Sequence, residues 1–147
     1  MAVARETLHP RSIAERVRRD HETIRALLDE VERACTAAKE LRDSDGLDRF
    51  RAAVWDLYTV FDEHRAMEEA HVAPLLRATG AGGEARAVDM ILEHNEQRRI
   101  ILELVEDTER EAKTSHALLA EAAALLVAFR ADMTLEELSL AGVLDEG

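Results

Sequence analysis

The sequence predicts an all-α protein, an antiparallel up-down-up-down four-helix bundle, and three observations predict it. Ala, Leu, Glu and Arg dominate, residues that lose little rotamer freedom in a helix, while aromatics make up only 3% of the chain. Apolar residues return at three- and four-residue spacing along four long segments. The breaks between segments are short, and amphipathic helices joined by short connections pack as antiparallel neighbours. With 147 residues, 47% of them hydrophobic, the chain suits one domain around one core. We divide it into an N-terminal extension over residues 1–11 and the bundle over 12–147.

The first helix opens at Ser12, where Ser12 and Glu15 have capping-box spacing, and carries Ile13, Val17, Ile24, Leu28 and Val31 on one face. The turn Asp43-Ser44-Asp45-Gly46 closes it. A second helix runs from about Leu47 to Ala78 with Phe50, Val54, Leu57, Phe61 and Leu75 inward, and Pro74 bends its last turn. Gly80-Ala81-Gly82-Gly83 is a loop. The third helix carries Val88, Ile91, Ile101, Val105 and Thr108. Thr114 or Ser115 caps the fourth, whose stripe is Leu118, Ala122, Leu125, Phe129 and Leu140.

Charge and composition exclude several function classes. A net charge of −12 opposes a sequence-independent grip on nucleic acid and docking on anionic lipid. No apolar run reaches spanning length and no hydrophobic signal core opens the chain. The single cysteine, Cys35, cannot close an intramolecular disulfide and reads as a small core or surface residue. These features point to a cytoplasmic protein with no nucleic-acid or membrane partner.

Polar residues interrupt the apolar stripes. His21 stands between Val17 and Ile24, and His64, Glu68 and His71 stand between Phe61 and Leu75. His94 and Arg98 stand between Ile91 and Ile101, and Asp132 and Glu136 between Phe129 and Leu140. Burying a lone carboxylate costs several kcal/mol unless a cation or donors compensate. The interruptions also share a level. At about 1.5 Å per residue, His21 lies roughly 27 Å from the end of helix one and His64 roughly 26 Å from the start of helix two. Glu68 and His94 are each about 15 Å from the second connection, and His94 and Asp132 roughly 25 Å from the third. All four helices therefore deliver polar side chains to one layer.

That layer holds imidazoles and carboxylates with no thiolate: His21, His64, Glu68, His94, Asp132 and Glu136. Nitrogen and oxygen donors suit iron or manganese, and six of them exceed what one tetrahedral zinc needs. His64-x-x-x-Glu68 and Asp132-x-x-x-Glu136 each put two ligands one turn apart on one face. Asp132 is open to two readings, a ligand or an ion-pair partner of Arg98. His71 is either a further nitrogen donor or a histidine at the core edge. Glu69 and Glu93 belong to solvated faces, and His9 and His116 to the exposed surface outside the layer.

The segments Arg19-Asp20-His21-Glu22, His64-Arg-Ala-Met-Glu68-Glu69-Ala-His-Val-Ala-Pro74 and Glu93-His94 resemble the hemerythrin-like, or HHE cation-binding, domain over about residues 12 to 144. The resemblance implies that His21, His64, Glu68, His94 and Glu136 are iron ligands, with Glu68 as a bridge. It implies a non-haem centre of two irons, oxo- or hydroxo-bridged, with iron ahead of manganese or zinc. Such a centre binds or senses oxygen or iron, or handles a small diatomic or peroxide ligand. The pattern departs from the family at three places. Asp132 stands where a helix-four histidine is expected, Arg98 where oxygen carriers place a second helix-three histidine, and Ala-Gly-Val replaces the last proline. Three functions follow: a di-iron binding or sensing module, a di-iron enzyme acting on peroxide or nitric oxide, and a metal-free degenerate bundle serving as an interaction scaffold.

Overall fold

Four helices form where the periodicity places them: α1 (Pro10–Leu41), α2 (Ser44–Arg77), α3 (Gly83–Arg110) and α4 (Ser115–Glu146). The computed structural model describes residues 9–41, 44–110 and 115–146, with side chains over 9–37, 47–109 and 117–142. No strand occurs among the described residues. Asp43 of the expected turn, Thr114 of the expected cap and the His116 side chain lie outside them.

The helix ends differ from expectation in instructive ways. Helix α1 begins at Pro10, two residues before Ser12, so Ser12 and Glu15 are not its capping box. Pro10 suits the first helical position because the N–H it lacks has no partner there anyway. His9 caps instead: its Nδ1 accepts the Arg11 N–H at 3.2 Å and its carbonyl accepts the Ile13 N–H at 3.0 Å. Ser44, Asp45 and Gly46 belong to the first turn of α2 rather than to a loop. Between α2 and α3, Gly80 and Gly82 take φ of 78° and 89°, a region closed to most side chains. That reversal brings Gly83 against the Leu76 carbonyl, where a Cβ would collide with the oxygen.

Partners across the helices show that neighbours are antiparallel. From α1 to α4, Arg25 meets Glu137 while Asp29 and Glu32 meet Arg130, so numbers rise on one helix as they fall on the other. Between α2 and α3, Arg51 reaches the Thr108 carbonyl, Arg98 meets Asp62 and Arg77 meets Glu84. Arg49 with Glu30 and His64 with Asp20 give the same register for α1 and α2. Helices α3 and α4 touch least, leaving an open seam.

The core follows the expected stripes except at Leu75 and Ile91, which are only half-buried, and at Val88. Ile24, Leu28, Phe50, Leu57, Ile101, Leu118 and Phe129 are buried, and Cys35 with them. On α3, however, Val88 is 42% exposed; Ala87 and Met90 are buried in its place. Ala87, Met90, His94 and Ile101 are the true stripe, masked because Ala is a weak hydrophobic marker. The buried apolar residues form two clusters. The larger surrounds Phe50, Leu57, Ile101 and Phe129, and the smaller surrounds Val17, Val72, Met90 and Leu140. Polar residues separate them.

Candidate metal centre

His21, His64, Glu68 and His94 occupy positions where helical spacing turns each side chain into the bundle, and all four are at least 95% buried. Glu136 reaches the same point from α4. One donor atom each from His21, His64, Glu68 and Glu136 lie within 4.8 Å of one another, a spacing that could hold a metal ion. His21 Nε2 stands 3.4 Å from Glu136 Oε1 and 3.8 Å from Glu68 Oε1, and His64 Nε2 is in direct contact with the same Glu68 oxygen. The other Glu68 oxygen, Oε2, faces away from this group toward His94 Nε2 at 3.8 Å. Glu68 thus divides its two oxygens between two sides of the layer.

Each histidine turns its second nitrogen to an outer carboxylate carried by a neighbouring helix. His64 Nδ1 meets Asp20 Oδ2 at 2.9 Å, His21 Nδ1 meets Glu137 Oε1 at 3.5 Å, and His94 Nδ1 meets Glu69 Oε1 at 3.6 Å. An arginine grips each of those carboxylates in turn. Arg16 holds Asp20 at 3.3 Å, Arg25 holds Glu137 through two bonds of 2.6 and 3.2 Å, and Arg65 holds Glu69 at 2.9 Å. Of the three contacts only that of His64 with Asp20 has hydrogen-bond geometry, and there the carboxylate on Nδ1 fixes the ring's orientation and favours the tautomer whose Nε2 lone pair is free to ligate. Glu69 is therefore half-buried and engaged, not part of a solvated face. Asp20, Glu69 and Glu137 were not expected from the stripes. Their signal was an acidic residue directly beside each of His21, Glu68 and Glu136.

The electrostatics are strained without a cation. Burial opposes charge on His21, but Glu136 and Glu68 outweigh it and lift its pKa to about 9. Burial pushes the Glu68 carboxyl well above the ordinary carboxylate range, helped by its hydrogen bond with Glu136. Burial would raise Glu136 too, yet hydrogen bonds from Glu68 and His21 hold it at about 2. His94 is pushed down, mainly by burial.

Asp132 stands apart from this cluster. It is half-buried, and its Oδ2 accepts the Gln97 side-chain N–H at 2.6 Å. The expected Asp132–Arg98 pair does not form. Arg98 points outward, 3.4 Å from Asp62, and donates to the Tyr58 hydroxyl at 3.3 Å. Its long stem carries the guanidinium past the core edge to water. His71 is half-buried and outside the cluster, and His9 is exposed. A cavity of about 180 Å³ lies beside the centre where α3 and α4 part, with Glu93, Asp132 and Glu136 on its wall alongside Met90, Leu76 and Leu140.

A family model described as the hemerythrin HHE cation-binding domain matches residues 12–144, nearly the whole chain. The chain belongs to the hemerythrin HHE cation-binding family. Comparison with the curated proteins finds no match, and comparison with the solved structures finds none. The residues at the family's site fit a cation. His64 Nε2, Glu68 Oε2 and Glu136 Oε1 are buried polar atoms with no hydrogen-bond partner, a costly state in an apolar core. A positive ion removes that cost for His64 Nε2 and Glu136 Oε1, which belong to the four-residue group, while Glu68 Oε2 faces the other side of the layer.

Proposed function

We propose that this hemerythrin-family protein is a non-haem di-iron protein that binds or senses oxygen or iron, or handles small oxidants. The observation supporting it most strongly is the set of donors from His21, His64, Glu68 and Glu136 within 4.8 Å, drawn from three helices and set in an apolar interior. Iron is favoured by the donor chemistry: imidazole and carboxylate together, no thiolate, and a glutamate with one oxygen on either side of the layer. A resident iron supplies redox chemistry and an attachment point for a small oxygen-containing ligand. The chain's own residues do the rest. The apolar neighbours Ile24, Phe61 and Phe129 keep bulk water out, and the outer carboxylates hold the rings in place. The acidic charge favours a small neutral ligand over an anion. No helix among the described residues is long and apolar enough to cross a membrane. We read the protein as cytoplasmic.

A specific observation favours a second reading, an enzyme acting on peroxide or nitric oxide. The cavity reaches Glu136, so a small substrate has a route to the centre from the α3–α4 seam. Metal analysis of protein purified from iron-replete cells, with an absorption spectrum in air, tests the main reading. About two irons per chain and a near-ultraviolet oxygen-to-iron band are expected; protein free of metal and of that band overturns it. Peroxide turnover that disappears in His64→Ala selects the enzyme, and stoichiometric oxidation alone selects the binding module.

A further inference from the structure

The two halves of the metal layer are built unequally. On one side, four protein donors converge: His21 Nε2, His64 Nε2, Glu68 Oε1 and Glu136. On the other side, only His94 Nε2 and Glu68 Oε2 face each other, 3.8 Å apart. Neither Arg98 nor Asp132, the stripe residues nearest to that side in sequence, adds a donor to it. Arg98 faces outward to Asp62 and Tyr58. Asp132 is tied to Gln97 at 2.6 Å. Yet the second side is not an ordinary polar pair of the core. Glu68 is 99% buried and its Oε2 has no hydrogen-bond partner, so an unsatisfied oxygen of a fully buried side chain is aimed at a buried imidazole.

We propose that the layer holds one tight and one exchangeable divalent cation, the tight one at His21, His64, Glu68 Oε1 and Glu136, the exchangeable one at His94 and Glu68 Oε2. The inference rests on the reading of this layer as a two-cation site. The second ion would have only these two protein donors and would rely on water for the rest of its coordination. With fewer protein donors, it would be the more readily exchanged of the two. The first ion would have four protein donors and fewer positions to exchange.

Anaerobic titration of the metal-free full-length chain with Fe(II), repeated with Zn(II), tests this by calorimetry and chelator competition. Removing one outer hydrogen-bond partner of a ligand already costs about 10–100-fold in metal affinity, so two missing ligands should separate the ions by at least about 100-fold. Two classes of one ion each are expected. His94→Ala should abolish the weak class and keep the tight one, and His21→Ala should weaken the tight class. His94→Gln, closer in shape, repeats the first result if the alanine variant fails to fold, and circular dichroism reports folding for each. Two ions of equal affinity, loss of both classes in a folded His94→Gln variant, or one ion in total each overturn the inference while leaving cation binding intact. No binding of either metal overturns the underlying reading of the chain instead.

Discussion

An imidazole with two nitrogens can ligate through either, and His64 illustrates how this chain decides. Asp20 lies 2.9 Å from Nδ1, so that nitrogen carries the proton and Nε2 is left to face Glu68. Asp20→Asn preserves size and removes the charge that favours this tautomer. Metal affinity should fall by about 10–100-fold in chelator competition, with the thermal midpoint of the metal-free protein nearly unchanged. A loss of stability equal in both forms would mean that Asp20 merely packs. Protons compete at the same atoms. His21, with a pKa near 9, is protonated in the neutral range, and burial shifts Glu68 toward its protonated form. A cation must displace those protons, so apparent affinity rises with pH, by up to about tenfold per unit for each proton released, until pH passes the His21 value. Affinity measured at pH 6, 7 and 8 checks the sign; a flat profile contradicts it.

At the scale of the helix, α3 separates a correct principle from a misapplied one. Three- and four-residue spacing placed His94 and Ile101 inward, as found, but it chose Val88 where Ala87 and Met90 carry the contact. Val88→Glu should shift the urea midpoint by no more than about 0.5 kcal/mol of stability, because the side chain already meets water. Met90→Glu should cost about 3 kcal/mol or more by burying a charge in the smaller apolar cluster. Equal effects would mean that α3 is rotated. The same spacing made most of the centre legible. His21, His64, Glu68 and His94 were visible because each replaces a hydrophobe in an otherwise regular stripe, and Glu136 because it lies one turn before Leu140. Asp132 shared that signal, yet Gln97 of α3 holds its carboxylate away from the cluster. Arg98 misled for the same reason, its Cα near the stripe and its guanidinium outside. The outer carboxylates were illegible as partners because each serves a histidine on another helix: Asp20 faces His64, Glu69 faces His94 and Glu137 faces His21. Facing across helices depends on packing, which stripe analysis of one helix does not contain. The start of α1 was misjudged because His9 and Pro10 make a cap without the usual hydroxyl or carboxylate.

Across the whole molecule, the polar layer lies between two apolar masses of different size. A bound ion ties together side chains from α1, α2 and α4, so it should stabilise the fold by mass action, about 2.7 kcal/mol when free metal is a hundredfold above its dissociation constant. Thermal unfolding with and without chelator measures this, and identical midpoints would argue that the layer holds nothing. The division has a further result. Val17, Val72, Met90 and Leu140 belong to the lesser mass, at the end that carries the glycine-rich reversal, while Phe50, Leu57 and Phe129 anchor the greater one. Stripped of its rivet, the lesser end has the weaker grip and should breathe first. Backbone amides near Met90 and Val72 should then trade hydrogen for deuterium sooner than those near Leu57, and slow again once metal returns. One end of the rod would thereby act as a gauge of occupancy, readable without any colour from the metal itself.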